Sequence, residues 1–224
     1  MHERKHQWKS ALAGLIRIDT ASIPRAAELL ARAFQDDPLM TYAFPDAVRR
    51  ARLLPQLIGL NVRYGCLFGE VYATPSWEGA AVWLPPGGQT MTPWRVLRAG
   101  MLAAPLRVDW AALGRLALIQ EQTTRLHRRH APPGHWYLSQ IGVEPVHQAQ
   151  GWGGALLRPL LARLDAARCW CYLDTTQEAA IPFYQKWGFA IAAETDTIRG
   201  GPHLWAMLRA PAEHFASPSA NTEM

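Results

Sequence analysis

Apolar and polar residues alternate over Gly14–Asp19 (GLIRID), which predicts a short strand. Apolar residues then recur at helical spacing through Thr20–Phe34, with Thr20 or Ser22 as N-cap and Pro24 near the first turn. The stretch QDDP ends that helix. A second helical run covers Asp46–Gly65, with an interruption expected at Pro55, because an interior proline loses a hydrogen bond and clashes with the preceding turn. Cys66–Thr74 and Gly79–Gly88 read as two strands of a hairpin, the second closed by Pro85 and Pro86. Helical patterning returns from Thr92 to His130, an insertion with breaks expected at Pro105 and around Val108–Trp110, before APPG forces a turn.

The remaining pattern alternates strand and helix. His135–Val143 is a strand of mixed polarity, followed by a stretch rich in glutamine and glycine. Ala155–Ala167 is a helix whose leucines at 156, 157, 160, 161 and 164 form one apolar face. Cys169–Thr175 is the next strand, a short helix ends at Gly188, and strands follow near Phe189–Thr195 and His203–Leu208. Residues 1–13 read as an N-terminal extension, 14–209 as one domain, and 210–224 as a flexible tail. The fold class this predicts is α/β (α+β), a central sheet with helices on both faces.

Composition narrows the function classes. The chain has 224 residues, 49% of them hydrophobic and only 18% charged, which argues for a globular core over disorder. Neither the polar start nor any later apolar stretch has the form of a signal peptide or a membrane span, so a cytoplasmic protein without membrane contact is expected. The formal net charge of +5 favours an anionic partner without choosing one. The basic run Arg125–His130 lacks a nucleic-acid motif and reads as a solvated helix end. Cys66, Cys169 and Cys171 are too few for a disulfide framework, and His135 and His147 have no ligand-spaced partners, so no metal is expected.

The candidate chemistry lies in Val143–Gly154 (VEPVHQAQGWGG). A strand ends, small residues follow and a helix begins, leaving free backbone N–H groups that suit a phosphate. The glycines fit neither a P-loop nor G-x-G-x-x-G, and alone they are equally consistent with a tight turn. With its flanks, however, the stretch resembles the Q/R-x-x-G-x-G/A cofactor signature of the GNAT N-acetyltransferase superfamily at Gln148, Gly151 and Gly153. The later LDTTQEAAIPFYQKWGF is similar to that family's second signature. Within the superfamily the likeness is closest to puromycin N-acetyltransferase-like proteins, through LLARAFQDDPLMTYAFPD, AVWLPPG and HLWAMLR.

The resemblance implies a GNAT fold with a mixed sheet of about six to seven strands, acetyl-CoA as acyl donor, and direct transfer of acetyl to a small-molecule amine by a monomer or homodimer. It implies cofactor contacts from Ile141, Gly142 and Val143, where the fourth strand splays from the next, and from Gln148, Ala149, Gln150, Gly151, Trp152, Gly153 and Gly154. Gln177 and Ala180 stand where relatives have Asn, Ala149 where they have Gly, and Trp152 replaces a small aliphatic residue. Tyr184 matches the tyrosine that protonates the departing thiolate. For the base, Glu70 is a carboxylate on a sheet face beside Tyr72, or else a solvated edge residue. Asp36 and Asp37 lie in a turn near the substrate end or simply terminate the helix, and a water relay needs no single base. Trp94, Trp110 and the methionines of the insertion suggest an apolar acceptor or helix core. The competing readings are a non-catalytic CoA-binding sensor or partner-binding module, and an acetyltransferase for protein N-termini or lysines.

Overall fold

Ile16–Arg17 (β1) starts a seven-stranded sheet of order β1-β2-β3-β4-β5-β7-β6. The other strands are Glu70–Ala73 (β2), Gly79–Leu84 (β3), Trp136–Val143 (β4), Cys171–Thr175 (β5), Ala190–Asp196 (β6) and His203–Arg209 (β7). This is a computed structural model, which describes residues 14–102, 110–197 and 200–212. The extension at 1–13, the breaks at Pro105 and Val108–Asp109, and the tail from 213 lie outside the described residues. All neighbouring strands are antiparallel except β4 and β5.

The helices are Ile23–Ala33 (α1), Pro38–Ala43 (α2), Ala47–Phe68 (α3), Pro93–Arg98 (α4), Trp110–His130 (α5), Trp152–Ala166 (α6) and Ile181–Lys186 (α7). Three differ from the sequence pattern. Helix α3 runs unbroken through Pro55, because the carbonyl that loses its donor belongs to exposed Ala51 and can be hydrated. It also continues to Phe68, so β2 begins at Glu70 and not at Cys66. Helix α2 was not foreseen; Asp37 caps it, Oδ1 accepting from the N–H groups of Leu39 at 2.9 Å and Met40 at 3.3 Å. At α1 the hydroxyl of Ser22 makes no cap bond; instead its N–H donates to Asp19 Oδ1 at 2.9 Å.

Two cores sandwich the sheet. On one face Leu156, Leu157, Leu160, Leu161 and Leu164 of α6 pack on Ala81, Trp83, Leu138, Cys171 and Leu173, and Tyr184 of α7 joins them. On the other, Leu29 and Leu30 of α1 and Leu54, Ile58 and Val62 of α3 pack on Val71, Ala73, Ala80 and Val82. Burying an aliphatic side chain of this kind contributes about 1.5–3 kcal/mol. Helix α5 extends the second layer: Ala112 and Leu116 pack against Ala43 and Phe44, and Arg115 Nη2 donates to the Ala43 carbonyl at 2.8 Å. Trp94 and Trp110 are 63% and 86% exposed, so they are not core residues. Among the described residues no helix is long and apolar enough to cross a membrane.

Candidate active site

The parallel strands β4 and β5 pair only at Trp136↔Cys171 and Tyr137↔Tyr172. From Leu138 onward β4 has no partner on that side, although Ile141, Gly142 and Val143 still pair with Ala81, Ala80 and Gly79 of β3. A bulge accompanies the parting: Trp83 opposes Leu138 and Val82 opposes Gln140, leaving Ser139 as the extra residue. The result is a cleft in the middle of the sheet, edged by backbone polar groups.

The glutamine-glycine loop closes one end of that cleft. Beyond β4 a 3₁₀ turn, Pro145–His147, leads to α6, whose N-cap Gly151 has φ +88° and no side-chain cap. The first N–H groups of α6 therefore face outward at the positive end of a four-turn helix, an arrangement suited to a phosphate. The loop is braced internally: Gln148 Nε2 donates to Val143 O at 3.2 Å and Gln150 Nε2 to Val146 O at 3.1 Å. Ala149, at φ +59°, holds a left-handed conformation that glycine adopts more easily.

The three glycines differ in purpose. Space is open around a Cβ at Gly151, but one at Gly153 would lie 3.0 Å from Phe183 Cζ and one at Gly154 2.7 Å from Trp187 Cζ2. Gly153 and Gly154 thus seat two rings of the α7 segment against α6, a packing reason where ligand approach alone was expected. The Trp152 side chain is half-buried, and its Nε1 is inaccessible and without a hydrogen bond.

Tyr184 lies in α7. Its ring packs in the α6-side core, edge-on to Phe183 and Phe189, and is 8% exposed. Burial first, and then the carboxylates of Asp174 and Asp37, push its phenol well above the ordinary range, so it stays protonated at physiological pH. Asp174 lies in β5 on the opposite face of the sheet from Leu173. Burial raises it to about 6, countered in part by the Tyr137 hydroxyl facing it as a hydrogen-bond donor. Burial also raises Asp37, against the helix-cap N–H groups and the Thr176 hydroxyl, 3.5 Å from Asp37 Oδ1. The ring packs in the α6-side core, yet both carboxylates lie close enough to act on its phenol.

Glu70 is elsewhere. Its Oε2 accepts from Arg163 Nη2 of α6 at 2.6 Å and from the Tyr72 hydroxyl at 3.0 Å, and the Arg163 guanidinium lies 4.7 Å from the Trp136 ring centroid. It stands on the α6 face, opposite Trp83 on β3, two strands from the cleft edge and on the far face from Asp174. The expected base role does not fit this placement; the carboxylate is the counter-charge of a guanidinium that is 9% exposed. Asp36 is exposed and lies 3.6 Å from Arg50 Nη2, whereas Asp37 is occupied by the α2 cap and the Thr176 contact. Gln177 is exposed, its N–H donating to Thr175 Oγ1 at 3.1 Å at the end of β5.

His135 meets His127, not His147: their Nε2 atoms are 2.6 Å apart, and His127 stacks on Tyr172 with centroids at 4.3 Å. His135 Nδ1 donates to Pro132 O at 2.6 Å, so its Nε2 accepts from His127. Desolvation lowers His127 to about 4. Among the described residues no group of three or more His, Cys, Asp and Glu can hold a metal. Asp174 escaped the sequence reading, yet a carboxylate inside the otherwise buried run CYLDT was a signal, since acidic side chains are rarely buried without a reason. The cleft edge and the uncapped α6 end both offer backbone polar groups, an arrangement that suits an anionic ligand.

The sequence profile of the Acetyltransferase (GNAT) family matches residues 73–189. An uncharacterized N-acetyltransferase of Schizosaccharomyces pombe is 24% identical over 219 residues, covering 91% of this chain and 88% of its own. The solved structure of histone acetyltransferase HPA2 and related acetyltransferase from Corynebacterium glutamicum superposes with a TM-score of 0.61 at 22% identity, covering 90% of this chain and 97% of its own. A putative arylalkylamine N-acetyltransferase 7 from the yellow fever mosquito gives a TM-score of 0.60 at 11% identity, over 88% of this chain and 87% of its own.

Proposed function

Because the chain belongs to the acetyltransferase (GNAT) family, we propose that it transfers acetyl from acetyl-CoA directly to the amine of a small molecule. The observation that supports this reading is the parting of β4 from β5 after Tyr137 and Tyr172, together with an α6 start that has no side-chain cap. In this reading the backbone of Gln148–Gly154 holds the pyrophosphate, and Ile141–Val143 supply backbone groups along the pantetheine and at the thioester oxygen. Gln177 contacts the pantetheine arm where relatives use Asn.

Backbone N–H groups fixed in a strand stabilise the developing oxyanion without reorganising. The Tyr184 hydroxyl gives its proton to the departing thiolate, and burial beside two carboxylates keeps that proton in place until the thiolate forms. Helices α2 and α5 wall the acceptor side. Puromycin is one candidate among small amines, and protein N-termini and lysines belong in the same panel.

Calorimetry with acetyl-CoA, followed by thiol release over an amine panel, tests the reading. Acetyl-CoA binding with turnover of a small amine supports it. Absence of binding refutes it, and binding without turnover on any amine favours a CoA sensor. Tyr184→Phe should lower kcat by about 10²-fold or more with acetyl-CoA affinity retained; unchanged kcat removes Tyr184 from the mechanism.

A further inference from the structure

The short helix α4 is apolar on two sides. Inward, Ala99 at its C-cap is buried against Tyr64 of α3 and Leu84 of β3, and Met101 packs on the same cluster. Arg95 pins its start: Nη1 donates to the carbonyls of Gly87 at 2.5 Å, Gly88 at 3.3 Å and Thr90 at 3.2 Å, and the guanidinium lies 5.1 Å from the Phe68 ring centroid. Thr92 Oγ1 caps the helix by accepting from the Arg95 N–H at 3.3 Å. These contacts fix which face of α4 points outward. On that face Trp94, Leu97 and Arg98 lie together at i, i+3 and i+4 spacing and are exposed. Trp94 and Leu97, with Met91 before them and Leu102 after, are 48–63% exposed. A single exposed apolar side chain needs no explanation, but this concentration around a fixed helix marks an interaction site.

We propose that this face of α4 docks on an anionic phospholipid bilayer, with Trp94, Leu97 and Leu102 entering the interface and Arg98 meeting the lipid phosphates. Charge selects this occupant. No Asp or Glu occurs from Gly79 to Val108, and among the described residues neither Arg95 nor Arg98 has a carboxylate partner. An indole and aliphatic side chains beside an unpaired guanidinium are what an interfacial helix presents: the ring sits at headgroup depth, the apolar groups reach the acyl boundary and the cation stays with phosphate. A twofold contact with a second copy would instead lay this cationic, acid-free face against itself. The formal net charge of +5 adds long-range attraction to an anionic surface. Among the described residues no helix can cross a membrane, but lying on one takes only an exposed apolar face.

Charge alone also draws anionic lipid to the end of α5, where Arg128 and Arg129 are exposed, and to Arg4, Lys5 and Lys9 near the start of the chain. Attraction of that kind is screened by salt and is indifferent to substitutions in α4. Docking through α4 differs on both counts, because the apolar part of the contact survives salt and depends on Trp94 and Leu97.

The test is flotation of the full chain with vesicles of phosphatidylcholine alone and of phosphatidylcholine with about 30% phosphatidylserine. The anionic vesicles should bind about tenfold more tightly or better. Trp94→Ser combined with Leu97→Ser should weaken that binding about tenfold or more, and Arg98→Glu, which reverses one charge, about tenfold. Both variants should keep the wild-type urea midpoint, since exposed side chains contribute little to folding. Absence of vesicle binding, equal binding to the two compositions, or wild-type binding by the Trp94→Ser, Leu97→Ser variant overturns the inference. A dimer seen by sedimentation velocity without lipid, and abolished in that same variant, also overturns it, because a second copy would then cover the face. None of these readouts involves acetyl-CoA, so the outcome is independent of the transferase reading.

Discussion

Replacing Glu70 by Gln separates two roles that a carboxylate in this strand can have. In the structure Glu70 Oε2 accepts 2.6 Å and 3.0 Å hydrogen bonds from Arg163 and Tyr72, with the two charged side chains 19% and 9% exposed. Breaking a buried ion pair by removing one charge costs about 3–5 kcal/mol, because the remaining ion stays desolvated. Gln can still accept from Arg163, and Glu70 is partly hydrated, so a loss of about 2–4 kcal/mol is expected. For a chain of this size that corresponds to roughly 4–16 °C in Tm. Urea unfolding followed by far-UV dichroism measures the loss, and kcat at a temperature where the variant is fully folded should stay within about twofold of wild type. The double replacement Glu70→Met with Arg163→Met should recover most of the stability, since apolar residues of similar volume remove both desolvation costs. A kcat reduced 10²-fold with stability intact would refute the argument and return Glu70 to the chemistry.

Three further outcomes follow from particular contacts. Asp174 titrates near 6 when folded against 3.8 as a free side chain. Its protonated form therefore favours the fold below pH 4, and that contribution is lost as pH rises through 6, a difference of about 3 kcal/mol at 1.36 kcal/mol per unit. Asp174→Asn should thus match wild type near pH 4 and exceed it by up to about 3 kcal/mol at pH 7.5 in urea titrations; a gap independent of pH would contradict the buried carboxylate. Ala149→Gly relieves a left-handed backbone at φ +59° and should raise stability by about 0.5–1 kcal/mol, after the entropic cost of glycine; a lower urea midpoint would show the strain to be absent. Gly154→Ala sets a methyl 2.7 Å from Trp187 and should cost about 1–3 kcal/mol with a changed Trp emission; wild-type unfolding and emission would mean that α6 and α7 are not in contact.

The parts of this protein legible in its linear order are those governed by neighbours along the chain. The leucines of α6 declare one buried face through their spacing, the β2–β3 hairpin through its alternation and turn, and the α6 start through residues that leave backbone donors free. Tyr184 was singled out differently, through a contiguous motif that resembles the family's second signature. Local signals failed where a partner lies far away in sequence. Pro55 looked like a break, but the rest of α3 packs on the sheet and the freed carbonyl belongs to exposed Ala51, open to solvent. Glu70 looked like a possible base until the fold brought Arg163 beside it, 93 positions on. Gly153 and Gly154 read as ligand clearance until Phe183 and Trp187 filled the space. Asp37 meets the end of β5 only in the folded chain, where the Thr176 hydroxyl lies 3.5 Å from its Oδ1 across 139 positions of sequence. Periodicity and turn chemistry act within a few residues, whereas the charge environment of a side chain depends on every element packed around it, and that is known only when the chain has closed on itself.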